Sequence, residues 1–165
     1  MTVAEAVRTM RAVRQFTDRP LGEDDIVAIL NAGRRAQSSK NTQPWQFVVV
    51  QQRETLTQLA QTGTWAGHLA GAAVGVVLVG GAEIAAFDLG QATAFMMLTA
   101  WERGIGSCIA SIYEPEQART ILGIPADQYV RWAISFGYPA QEAAAAPPRS
   151  GGRRALDDVV RWEKW

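Results

Sequence analysis

The chain has 165 residues, long enough to bury the core of one domain. With 48% hydrophobic residues, 15 glycines and 7 prolines, its composition is that of a globular protein rather than a disordered or fibrous one. Lysine plus arginine and aspartate plus glutamate each number 16, so no net field draws the chain to nucleic acid or an anionic membrane, and neutrality favours self-association.

The opening TVAE reads as a capping box, with Thr2 as N-cap and Glu5 three residues on, and starts a short helix to about Met10. A second helix is expected over 23–36, with Ile26, Ile29, Leu30 and Gly33 on one face. Then SSKNTQPWQF, residues 38–47, crowds hydrogen-bonding groups against a proline and a tryptophan just ahead of a valine run. This is either a solvated turn or a loop whose polar atoms read a ligand. QFVVVQ (46–51) has strand length, ETLTQLAQ is a short helix, and AVGVVLVG (73–80) is a second buried strand.

Residues 82–104, AEIAAFDLGQATAFMMLTAWERG, form a helix that is apolar or small on every side from Ala85 to Trp101 apart from Asp88, Gln91 and two threonines. A small domain rarely encloses about five helical turns, so part of this surface is expected at a dimer interface. Gly104 ends the helix as a C′ residue. A short strand is expected near 107–110, then a helix over EPEQARTILG with Glu114 near its N-cap and Pro115 in its first turn. YVRWAISFG (129–137) alternates as a strand, AQEAAAAPPRSGG (140–152) is a linker, and RRALDDVVRWEKW is an arm expected to lie across something else, such as another protomer. There is no internal repeat and no domain boundary. A single domain over 1–165 of mixed α/β or α+β class follows.

Several chemistries drop out. Cys108 is the only cysteine and His68 the only histidine, which removes an intrachain disulfide and a zinc-thiolate cluster and leaves no metal site without a carboxylate cluster. His68 reads as structural or surface, and Cys108 as packing. GIGSCI starts like a dinucleotide loop but lacks its third glycine and follows a helix. No phosphate-binding P-loop or nucleophile elbow is present. The N-terminus has no signal-peptide core, and the longest apolar run, 69–81, is too short for a bilayer, so a cytoplasmic location is expected. What survives is the polar loop and two arginine pairs, Arg11 with Arg14 and Arg153 with Arg154. These are either solvated charges or forks able to close on one phosphoryl group.

Taken in order, RAVRQFTDRPL, AQSSKNTQPWQFVVV, RGIGSCIAS and GRRALDDVVRW resemble the motifs of the nitroreductase family across essentially the whole chain. The resemblance implies an α+β sheet flanked by helices in an intertwined homodimer. It implies bound FMN at two interfacial sites, NADH or NADPH as co-substrate, and a nitroaromatic or quinone as acceptor, with no nucleic-acid or membrane partner. Carried over by position, Arg11 and one of Arg153 and Arg154 grip the FMN phosphate, and Arg14 stands near the pyrimidine edge. Ser38, Ser39 and Asn41 come from the partner subunit. Ile109, Ala110 and Ser111 line the ring and direct a backbone N–H at its hydride-accepting nitrogen. No side chain is assigned as catalytic, because the flavin is the reactive group and Arg14 gives electrostatic support. Ala12 and Gln37 belong to the same cofactor-binding stretches but replace the family's serine and proline, and Ala155 and Asp158 depart from its tail. Only GGAEIAA separates the second strand from the long helix, where relatives often carry an excursion over the flavin. Two other readings accompany this one: a flavin- or deazaflavin-binding protein of the same fold with another redox task, and a flavin-storage or structural dimer without turnover.

Overall fold

The computed structural model describes residues 1–140 and 152–165. The predicted linker lies outside them except for its end residues Ala140 and Gly152.

Four antiparallel strands form one sheet in the order β1-β2-β4-β3: β1 (Trp45–Val50), β2 (Val74–Gly80), β3 (Gly106–Ser111) and β4 (Tyr129–Gly137). Every residue of β2 is buried, because it lies inside the sheet with helices on both faces, and its sequence is accordingly a valine run rather than an alternation. Helices α2 (Glu23–Arg34) and α4 (Ala86–Glu102) cover one face, where Val74, Val76, Leu78, Ile134 and Phe136 meet Ile29, Leu89 and Met96. Helices α3 (Arg53–Leu59) and α5 (Pro115–Leu122) cover the other, over Val77, Val79, Ala110 and Ala133. The fold is therefore α+β, with the sheet sandwiched between two helical layers.

The local signals act as the sequence suggests. Helix α1 (Val3–Thr9) carries the Thr2–Glu5 capping box, and α5 begins with Pro115 after Glu114 and stops at left-handed Gly123. Helix α4 ends in a Schellman motif: Gly104 has φ 73°, its N–H reaches the Trp101 carbonyl and the Ile105 N–H reaches the Ala100 carbonyl. Two boundaries differ. Helix α2 stops at Arg34 rather than Ala36, since the Arg35 and Ala36 N–H groups turn back tightly to the Ala32 and Gly33 carbonyls. Helix α4 starts at Ala86 rather than Ala82, after a single 3₁₀ turn over Glu83–Ala85. Nor is α4 enclosed by its own chain: Phe87 is 77% and Phe95 42% exposed.

Residues 12–17 cross the end of the sheet. Ala12 bridges Ser107 and Phe16 bridges Pro139, with the Val13 N–H on the Ser107 carbonyl. This crossing depends on two glycines that face each other in register, Gly106 and Gly137. A Cβ on Gly106 would come within 2.7 Å of Val13 Cβ, and one on Gly137 within 2.8 Å of the Phe16 ring. Beyond the linker, α6 (Leu156–Val159) is a single exposed turn in an arm whose Trp162 and Trp165 are also exposed.

Candidate functional site

Strand β3 is a sheet edge, and its backbone alternates in direction. Residues 106, 108, 110 and 112 face β4, as the Ile112 N–H bond to the Arg131 carbonyl shows, so Ser107, Ile109 and Ser111 present their N–H and C=O groups outward. Two segments use parts of this edge. Val13 takes the Ser107 carbonyl. At the other end, the loop after α3 runs so close that a Cβ on Gly63 would sit 2.0 Å from the Ser111 carbonyl oxygen, while the Thr62 carbonyl accepts the N–H groups of Tyr113 and Glu114. Between them lies Ile109, its side chain 44% exposed and its N–H taken by neither neighbouring segment among the described residues.

Arg14 flanks this gap. Its neighbour Val13 is buried against Gly106, while Ala12 and Arg14 on either side are exposed. Arg11 is half-buried, on Val13's side of this extended stretch. The stretch is not helical, so a spacing of three does not by itself put Arg11 and Arg14 on one face. Ala110 likewise faces away from the edge, into the core under α3 and α5. Ser111 stays half-exposed at the edge.

Behind the gap stands His68, which is buried. Its Nδ1 lies 2.8 Å from Ser135 Oγ, and Ser135 Oγ donates to the Cys108 carbonyl at 3.3 Å. Burial, helped by the positive charge of Arg14, lowers the His68 pKa below its ordinary value, and the Ile109 carbonyl offsets this in part. The ring is therefore neutral at pH 7. Its Nε2 is closed off from solvent without a hydrogen-bond partner. Sequence reasoning placed His68 only as structural or surface. The surface alternative is out, and its position behind Ile109 had no sequence signal, because a lone histidine in a small-residue loop carries none. Cys108 is buried, as a packing residue should be.

The polar loop lies elsewhere. It precedes β1, at the sheet edge opposite β3, about 14 Å away across three strand spacings. Three of its residues that are not glycine adopt left-handed backbone: Lys40 (φ 51°), Asn41 (φ 55°) and Gln43 (φ 50°). Such residues cost about 1–2 kcal/mol each, and gather where surrounding bonds enforce them and function makes use of them. The enforcing bonds are present. Ser38 Oγ accepts the Gln43 N–H at 2.9 Å, the buried Asp88 of α4 accepts the Ser39 N–H at 3.3 Å, and Gln91 Nε2 donates to the Gln37 carbonyl at 3.3 Å. Gln37, Ser39 and Asn41 remain exposed and Ser38 half-buried, so the loop is a fixed polar surface rather than a mobile turn.

Arg153 and Arg154 are exposed in the arm, and Arg154 Nη2 donates to the Asp158 carbonyl at 2.5 Å. Among the described residues, no group of three or more histidine, cysteine or acidic side chains is placed to hold a metal ion.

This layout matches known proteins along its length. The profile described as Nitroreductase family matches residues 7–66 and 61–138. A putative NADH dehydrogenase/NAD(P)H nitroreductase of Archaeoglobus fulgidus is 33% identical, the alignment covering 96% of each chain. The structure of an FMN-dependent nitroreductase from Clostridium difficile superimposes with a TM-score of 0.88 at 23% identity, covering 99% of this chain and 100% of that one. An NADPH:FMN oxidoreductase from Vibrio harveyi, complexed with NAD+, does so with a TM-score of 0.85 at 24% identity, over 98% of this chain and 77% of that one. The chain belongs to the nitroreductase family. It is, with that family, an oxidoreductase.

Proposed function

We propose that the protein works as a homodimer that binds FMN at two interfacial sites and passes hydride from NADH or NADPH to a small oxidant such as a nitroaromatic or quinone. The observation that carries this reading is the separation of the two polar features. The Arg14–Ile109 gap and the strained loop occupy opposite edges of one sheet, so a site that uses both draws them from two copies. The exposed Phe87 and Phe95 of α4, and the arm with Leu156 and Trp162, supply apolar surface for such a pairing. The names of the relatives and structural neighbours, which carry FMN, NADH and NAD(P)H, point the same way.

The donor set fits a flavin. One edge of an isoalloxazine presents carbonyl and imide groups, and the available partners are a guanidinium, an outward backbone N–H and a serine- and asparagine-rich loop. FMN, when bound, supplies the hydride-transfer chemistry itself. Arg14 holds positive charge where reduction adds negative charge. The Ile109 N–H is the donor offered to the hydride-accepting nitrogen, and Ser38, Ser39 and Asn41 of the second copy hold the ring and ribityl hydroxyls. Arg153 is offered to the phosphate in preference to Arg154, whose guanidinium is engaged with its own arm. Arg11, half-buried near the gap, is the second phosphate candidate.

Absorption spectra of purified protein, anaerobic titration with each nicotinamide and sedimentation test the proposal together. Yellow protein, bleached by NADH or NADPH and sedimenting as a dimer, is expected. Monomeric protein that takes up no FMN refutes it. The short connection over residues 81–85 favours one further outcome, a flavin site without turnover, which bound flavin that neither nicotinamide bleaches would identify.

A further inference from the structure

His68 and Ser135 are buried polar side chains that the proposed chemistry does not use, yet both stand directly behind Ile109. The Ser135 hydroxyl has one proton, which it gives to the Cys108 carbonyl. With that proton so placed, the 2.8 Å contact assigns the neutral His68 ring the tautomer in which Nδ1–H donates to the Ser135 oxygen. The Cys108 carbonyl and the Ile109 N–H are the two ends of one peptide group, the first directed at β4 and the second at the open edge. A hydrogen bond donated to the carbonyl end of a peptide polarises the unit and makes its N–H a stronger donor. The chain of contacts thus runs from imidazole to hydroxyl to carbonyl, and emerges at the Ile109 N–H, which neither flanking segment occupies among the described residues. The arrangement leaves a ring nitrogen, Nε2, buried without a partner.

We propose that His68 and Ser135 are positioning residues that fix and strengthen the Ile109 N–H as a donor to the bound cofactor. The cofactor's identity rests on the function proposed above, whereas the contacts themselves belong to the chain and exist without any ligand.

The test is the Ile109 amide resonance in full-length, FMN-free protein, followed by titration with FMN. In Ser135→Ala the Cys108 carbonyl loses its second donor, so the Ile109 amide proton moves upfield. The FMN dissociation constant rises by up to about tenfold, as for loss of one hydrogen bond's worth of support. His68→Phe removes the Nδ1 donor and shifts the resonance in the same direction. His68→Asn, whose amide nitrogen reproduces that donor, holds it near its wild-type position. A purely structural role predicts instead that Phe and Asn differ in melting temperature but not at Ile109. An Ile109 amide unmoved in Ser135→Ala, or moved equally by Phe and Asn, overturns the proposal. Should Ser135→Ala fail to fold, the comparison of the two His68 variants decides alone. Wild-type protein that shows no resonance change with FMN refutes the flavin reading instead, and leaves the ligand-free comparison to judge the contacts.

Discussion

Adding one methyl group at Gly106 tests how the N-terminal segment is held against the sheet. A Cβ there would sit 2.7, 2.8 and 2.9 Å from Val13 Cβ, Cγ2 and Cγ1, where ordinary contact begins at 3.4 Å, so Val13 has to withdraw by about 0.7 Å. Val13 is 2% exposed and its N–H is fixed to the Ser107 carbonyl, which leaves little room for a cheap adjustment. Overpacking of this kind costs about 1–3 kcal/mol. For a chain of this length that lowers the melting temperature by roughly 2–12 °C. Arg14 is the next residue and moves with Val13, so FMN affinity is expected to fall by more than the stability change alone explains. Gly67→Ala serves as the control, since nothing lies within 4 Å of its added methyl and its φ is not positive. Thermal melts and FMN titration of both variants check the argument. If Gly106→Ala melts within about 1 °C of wild type, the claim that the crossing depends on a missing side chain is wrong.

Arg14→Ala is expected to lower the reduction potential of bound FMN by about 30 mV, equivalent to about 1.4 kcal/mol, with Arg14→Lys intermediate, as read by a redox titration against dyes of known potential. Asp88→Ala removes the acceptor for the Ser39 N–H and should cost about 1 kcal/mol in stability, while weakening FMN binding at the loop; urea melts and flavin titration would show both. His68 gives a pH signature of definite sign. Its folded pKa lies below the ordinary 6.5, so the folded state binds fewer protons than the unfolded one and stability rises with pH through this window. Its contribution is fully present above about pH 6.5 and is lost progressively as the pH falls towards the lowered value. The stability difference between wild type and His68→Asn should therefore change on the acid side and be constant above neutrality, as urea melts across that range would record.

Much of the fold could be read from the chain because its elements carry agreeing local signals. The valine run of β2, the Thr2–Glu5 box, Pro115 at the start of α5 and Gly104 at the end of α4 each have one sensible use, and each has that use. The site was harder because its determinants are contacts between distant segments. Gly106 belongs to a stretch that looks like a spoiled dinucleotide loop, but its role is to let Val13 approach, and nothing within five residues of it says so. The left-handed Lys40, Asn41 and Gln43 are not glycines, so the backbone shape of the polar loop was invisible even though its polarity was plain. Arg11 and Arg14 stand just after the first helix, and their spacing alone does not say which way each faces; the structure leaves Arg11 half-buried and Arg14 exposed. His68 depends on Ser135, 67 positions away, and sequence spacing cannot suggest that contact.

Placing the gap and the loop at opposite margins of one sheet has a genetic consequence. On the dimer reading, take one polypeptide disabled only at the gap and another disabled only at the loop, each by changes severe enough to stop turnover in its pure assembly. Co-expressed, they form mixed pairs in which one centre inherits both lesions and the other inherits neither. Such heterozygous assemblies would regain up to half the turnover of the intact pair, although no single molecule in the tube carries an undamaged sequence.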